Sequence, residues 1–264
     1  MVTLAARGLA VALGGQPVLH AIDLACAPGR LTGIVGPNGA GKSTLARALA
    51  GLATAAGGRV TIEGADIATL PRREIARRIA YLPQGQALAW PVTVARLVAL
   101  GRLPHLAPLS RLAEADAQAI ERAMARADVL SFRDRPADTL SGGERARALI
   151  ARALAVEAPV MIADEPLASL DPGHAIAVME LLAAEAARGV AVIAILHDLT
   201  LAARFCDHLV LLDRGRTIAD GTPADVLDAA RLAQVYGVTA RIEHGGRYPL
   251  VVPEARVGGA RDTG

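Results

Sequence analysis

The chain has 264 residues, with 28 Lys and Arg against 26 Asp and Glu and a formal charge of +2. That length can bury a large core in one α/β domain with room for an insert. Balanced charge and 2% aromatic residues argue against a nucleic-acid partner, which needs a basic face or a base-stacking platform.

The opening MVTLAARGLAV lacks the long apolar core of a signal peptide. Mean hydropathy is +0.36, but no run approaches the roughly 20 apolar residues that span a bilayer, so the chain reads as cytosolic. To about Asp23 apolar and polar residues alternate around Gly14-Gly15, which predicts a β-hairpin. RLTGIVG (Arg30 to Gly36) predicts a strand. STLARALAGL (Ser43 to Leu52) predicts a helix with Leu45, Leu49 and Leu52 on one face. GGRVTIEGADI, from Gly57, returns to strand and turn. A helical block is expected from about Val92 to Ala155, with Ile120, Ala123, Met124 and Ala127 as one stripe. Beyond Pro159, PVMIAD reads as a strand, Pro172 to Arg188 as a helix, VAVIAIL as a buried parallel strand and Leu199 to Phe205 as a short helix. HLVLLDRG and RTIADG then read as a strand pair. Thr222, Pro223 and Asp225 supply a cap, a first-position proline and a first-turn acid for another helix. After Pro253 the tail is expected to be disordered. Cys26 and Cys206, too few for a disulfide framework, read as small buried hydrophobes.

Three stretches carry chemistry. GPNGAGKST (Gly36 to Thr44) matches G-x-x-x-x-G-K-[ST] and lies between a predicted strand and a predicted helix. Gly36, Gly39 and Gly41 let the backbone curl so that the N–H groups of Asn38, Gly39, Ala40, Gly41 and their neighbours, in a loop that also holds Pro37, surround a phosphate chain. Lys42 is expected at the β- and γ-phosphates, and the Ser43 hydroxyl, next to Thr44, at Mg²⁺. VMIADEP (Val160 to Pro166) is an apolar strand ending in two acids, where ligands bind in open α/β sheets. Asp164 can hold the Mg²⁺ shell, and Glu165 can accept a proton from an attacking water. LSGGERARALIARALA (Leu140 to Ala155) feeds a small-residue turn into a helix, and so offers a second anion-facing helix start.

GPNGAGKST, LSGGE, VMIADEP, SLD (Ser169 to Asp171) and LHD (Leu196 to Asp198), in that order, resemble the nucleotide-binding subunits of ABC transporters from about Val2 to Val238. The resemblance implies a P-loop NTPase (RecA-like) core with an N-terminal antiparallel β subdomain and an inserted α-helical subdomain. It places the ATPase domain at 1–240, the helical subdomain at about 88–156 and a C-terminal extension at 241–264. It implies ATP and Mg²⁺ as cofactors. It also implies two chains paired head to tail, so that Ser141, Gly142, Gly143 and Glu144 serve the partner's nucleotide. By the same resemblance Gln84 reaches the Mg²⁺ and the attacking water, His197 contacts the γ-phosphate, and Asp171 crosses the dimer interface. Asp171 before Pro172 also fits an N-cap. The family's adenine-stacking aromatic is replaced here by Leu13, which implies weaker selectivity for ATP over GTP.

PQGQALAWPVTVARLVALGRLPH, ILHDLTLAARFCDHLVLLDRGR and the closing GTPADVLDAARLAQVYGV further resemble the ATPases of bacterial importers for ferric siderophores, haem and cobalamin. That implies two permease subunits, a periplasmic binding protein acting indirectly, and a peripheral position on the cytoplasmic face of the inner membrane. Another importer substrate is the second reading, and an exporter the third. His105 stands without metal-ligand neighbours and reads as packing or permease contact.

Overall fold

The structure, a computed structural model, describes residues 4–85, 91–107, 110–243 and 248–257. Its centre is a six-stranded sheet built from near-continuous apolar runs, as strands covered on both faces require. Five strands are parallel: β3 (Leu31–Val35), β6 (Ile79–Leu82), β7 (Val160–Asp164), β8 (Ala191–Ile195) and β9 (His208–Asp213). β10 (Arg216–Gly221) pairs antiparallel to β9, completing the order β10-β9-β3-β8-β7-β6. Alternate residues of one strand feed different cores. Val160 and Ile162 face the core shared with α1 (Lys42–Leu49), whereas Met161 and Ala163 face the core shared with α5 (Gly142–Leu154) and α6 (Pro172–Ala187).

An antiparallel sheet covers the α1 side. It contains β1 (Leu4–Leu13), β2 (Gln16–Cys26), β4 (Gly57–Ile62) and β5 (Ala65–Asp66), in the order β2-β1-β4-β5. β1 and β2 form the hairpin expected at Gly14-Gly15. Together the sheets and helices make the P-loop NTPase architecture with an antiparallel β subdomain. Cys26 and Cys206 are both buried, and burial pushes each thiol up to about 12.

Between β6 and β7 lie α3 (Val94–Ala99), a 3-10 segment (Leu100–His105), α4 (Glu114–Arg126) and α5. The expected stripe Ile120, Ala123, Met124 and Ala127 is buried. Short 3-10 turns, rather than one helical run, fill the stretch from Leu130 to Thr139. The 3-10 segment is locked in place. Gly101 passes so near α5 that a Cβ would sit 2.2 Å from the Arg152 carbonyl oxygen. Arg102 donates to Asp116 at 2.9 Å and to the Ala155 carbonyl at 2.8 Å. His105 packs inward, with Nε2 2.9 Å from the Val156 carbonyl oxygen. From the core side, Arg73 and Arg77 of α2 (Arg72–Arg78) each donate to the Pro104 carbonyl at 2.8 Å.

Three expectations change. Leu52 is 58% exposed and does not join Leu45 and Leu49, because α1 ends at Leu49 and Gly51 turns the chain through φ +69°. The helix started by Thr222 is one turn, α8 (Pro223–Val226), and Asp228 caps a second, α9 (Ala229–Tyr236). Beyond it β11 (Val238–Glu243) and β12 (Leu250–Arg256) form a hairpin, so Pro253 to Arg256 are strand and not tail. Pro253 is tolerated because a two-stranded ribbon leaves one side of each strand unpaired. The rest of the tail expected to be disordered after Pro253, residues 258–264, lies outside the described residues, as do 86–90 at the expected start of the helical subdomain.

Candidate functional site

The loop from Gly36 to Gly41 joins β3 to the first turn of α1, at the centre of the sheet. Gly36 has φ +149°, and a Cβ there would stand 2.1 Å from the Leu212 carbonyl oxygen. Gly41, at φ +98°, would press a Cβ against Leu19. Glycine is therefore required at both positions by backbone angle and close approach together. Lys42 is buried inside the loop, donating from Nζ to the Gly36 carbonyl at 2.8 Å and the Pro37 carbonyl at 3.0 Å. Burial lowers its ammonium from the usual lysine range, against the opposing pull of Glu165 and Asp164. Asn38 and Gly39 are exposed at the loop's tip, whereas Ala40 is buried behind it. Ser43 and Thr44 lie in the first turn of α1.

The Ser43 hydroxyl donates to Asp164 Oδ1 at 3.0 Å, bringing residues 121 positions apart into one contact. Asp164 is 1% exposed at the end of β7. Its other oxygen accepts from the Tyr81 hydroxyl at 3.0 Å, a contact that sequence reasoning missed because YLPQ drew attention only to its glutamine. Glu165 follows at φ +53°, a left-handed conformation that a non-glycine residue adopts at a cost. Gln84 Nε2 donates to Glu165 Oε2, and His197 Nε2 lies 2.8 Å from Oε1. One carboxylate thus gathers the second residue beyond β6 and the second residue beyond β8. The Ser43 and Asp164 oxygens are the hard donor set that suits Mg²⁺, which takes few protein ligands and keeps phosphate oxygens and waters.

The signature turn is built differently from the expectation of an open anion site. Ser141 caps α5, its hydroxyl accepting from the Glu144 amide at 3.3 Å, while Glu144 accepts from the Ser141 amide at 2.8 Å. This reciprocal box holds the Glu144 carboxyl below the usual range. Gly142 is open, with Leu170 the nearest atom to a Cβ at 3.9 Å. Gly143 is covered, because a Cβ there would meet the His174 ring at 1.8 Å. His174 is in turn held by Asp171, which caps α6 through the His174 amide at 2.9 Å and meets Nδ1 at 2.6 Å. The capping reading of Asp171 is therefore realised. Gly142 lines a cleft of about 360 Å³ that reaches Pro83, Gly85, Asp164 and Glu165. Leu13, at the end of β1, is 50% exposed.

Residues 19–168 match the sequence model of the ABC transporter family. The chain is 43% identical over 245 residues to the hemin import ATP-binding protein of Rhodococcus jostii, covering 92% of this chain and 83% of that protein. It is 38% identical over 251 residues to the ferric enterobactin transport ATP-binding protein of Escherichia coli, covering 94% and 93%. A crystal structure of the ADP conformation of an ATP-binding cassette of an ABC transporter superimposes with a TM-score of 0.81 and 27% identity, covering 89% of this chain and 98% of that one. No helix among the described residues is long and apolar enough to cross a membrane. A phosphate loop at the end of β3, two acids at the end of β7 two strands away, and matches of this extent have one explanation: the chain belongs to the ABC transporter family, as one of its ATP-binding, ATP-hydrolysing chains.

Proposed function

We propose that this chain powers a bacterial importer for an iron chelate, with haem the cargo best supported by its relatives. The observation that carries the cargo class is the identity to hemin and ferric enterobactin ATPases, spread over more than nine-tenths of the chain. Cobalamin, a cobalt chelate, is the other cargo that its relatives support. In this reading the chain sits peripherally on the cytoplasmic face of the inner membrane, bound to two permease subunits. A periplasmic binding protein delivers the cargo to the permease, and neither the binding protein nor the cargo touches this chain.

The hydrolytic roles rest on the convergence of Gln84 and His197 upon Glu165. Glu165 takes the proton of the attacking water, and its two neighbours orient the carboxylate for that step. Gln84, leaving β6 toward the helical insert, also senses the permease. The loop amides from Gly36 to Thr44 surround the phosphate chain, and Lys42 exchanges a loop carbonyl for phosphate oxygen. Ser43, Asp164 and Gln84 would hold Mg²⁺, which supplies charge neutralisation at the β- and γ-phosphates. Two copies pair head to tail, Ser141 to Glu144 of one facing the nucleotide of the other. The exposure of Ser141 and Gly142 supports this arrangement.

Deletion of the gene, followed by uptake of labelled haem, ferric siderophore and cobalamin in separate assays, tests the reading. Loss of haem uptake alone is expected. Loss of only another cargo's uptake moves the assignment within the class, and retention of all three removes it.

A further inference from the structure

YLPQ contributes its glutamine to the proposed chemistry, yet Tyr81 makes the better-defined contact with a carboxylate. β6 pairs with β7 in parallel, Tyr81 opposite Ile162 and Leu82 opposite Ala163, and the pairing ends there. Asp164 therefore stands one residue beyond the last β6 pair, supported on its other side by Ile195 of β8. The partly buried Tyr81 bridges the gap, donating to Asp164 Oδ2 at 3.0 Å, while Oδ1 receives the Ser43 hydroxyl at 3.0 Å. Both oxygens of a side chain that is 1% exposed are thus engaged by different elements.

The positive charge of Arg47 acts on the phenol in the opposite sense to Asp164. Ser43 and Arg47 are four residues apart and so share a face of α1. The contacts run from Tyr81 of β6 to Asp164 and on to Ser43 of α1. Burial, and next the Asp164 charge, push the Tyr81 phenol up to about 12.

We infer that Tyr81 is a positioning residue for the metal-binding carboxylate, holding Asp164 by Oδ2 so that Oδ1 stays aimed at the Ser43 oxygen and the phosphate loop. A carboxylate tied at one oxygen cannot rotate away when the Ser43 hydroxyl turns from it to a cation. The inference rests on the Mg²⁺-ATP reading of the site and deepens it.

The test is binding of a fluorescent ATP analogue to the purified full-length protein, titrated with Mg²⁺ and repeated in EDTA. Tyr81→Phe keeps the ring and removes the donor. It should raise the half-saturating Mg²⁺ concentration about tenfold, the order expected for one hydrogen bond to a charged group. Metal-free nucleotide affinity should be unchanged, while the thermal midpoint falls modestly with the lost hydrogen bond. An unaltered Mg²⁺ midpoint overturns the inference. So does an equal loss of affinity in EDTA, which would mean that the hydroxyl merely supports the loop. Asp164→Asn separates the two levels. If it shifts the Mg²⁺ midpoint and Tyr81→Phe does not, only the positioning role falls; if Asp164→Asn also shifts nothing, the metal reading falls with it.

Discussion

Glu165 Oε1 lies 2.8 Å from His197 Nε2, across the ends of the neighbouring parallel strands β7 and β8. Neither residue is placed by its own helix or strand. Each is the first or second residue beyond a strand whose side chains are wholly buried, so the sheet sets their separation. Glu165→Gln preserves the shape of this contact and removes the base. ATP turnover should fall about 100- to 10,000-fold, nucleotide affinity should stay near normal, and an ATP-dependent dimer should accumulate on size exclusion. Substantial residual turnover, or no such dimer, contradicts the role.

The two signature glycines should separate in effect. Gly142→Asp adds a carboxylate at an open position, so single chains should bind ATP normally while dimerisation and hydrolysis fail through like-charge repulsion. Gly143→Ala must displace the His174 ring and should cost about 1–3 kcal/mol of stability, as other overpacked sites do. A cysteine pair at Ser141 and Asn38 should crosslink between chains only with ATP present. The native Cys26 and Cys206 are buried and will not compete. Crosslinking independent of nucleotide contradicts a shared site.

Leu13 is exposed enough to meet a base. Leu13→Tyr should tighten ATP and widen its advantage over GTP by several-fold, since stacking is worth about 0.5–1.5 kcal/mol. Equal affinities for the variant and the parent would assign the adenine contact elsewhere.

Asp116 ties α4 to the 3-10 segment, accepting from the Ala113 amide at 3.0 Å and from Arg102 at 2.9 Å. The Ala113 amide, and then Arg102, hold its carboxyl below the ordinary 3.8. A depressed folded-state value contributes stability that is fully present above 3.8 and is lost as pH falls through the lower folded value. Asp116→Asn should therefore lower the thermal midpoint at pH 7, and the gap to the parent should close only below pH 3.8. Arg102→Ala should be worse, about 3–5 kcal/mol, because it strands a buried charge. A gap that is constant from pH 7 to pH 3 would exclude the ionised pair as its source.

The sequence by itself determined the elements whose cause is local. Strand β3 with the loop after it, the caps at Asp171 and Thr222, and helix α7 from Leu199 to Phe205 all follow from apolar period and turn chemistry within a dozen residues. Tertiary structure decided what depends on partners far along the chain. The C-terminal hairpin forms because Val251 finds α7, its amide 3.2 Å from Thr200 Oγ1. Gly143 is reserved by the ring of His174, and Tyr81 meets Asp164 only because β6 is laid beside β7. In each case the pairing partner lies tens of residues away, and side-chain period, which reports which face is buried, carries no information about what buries it.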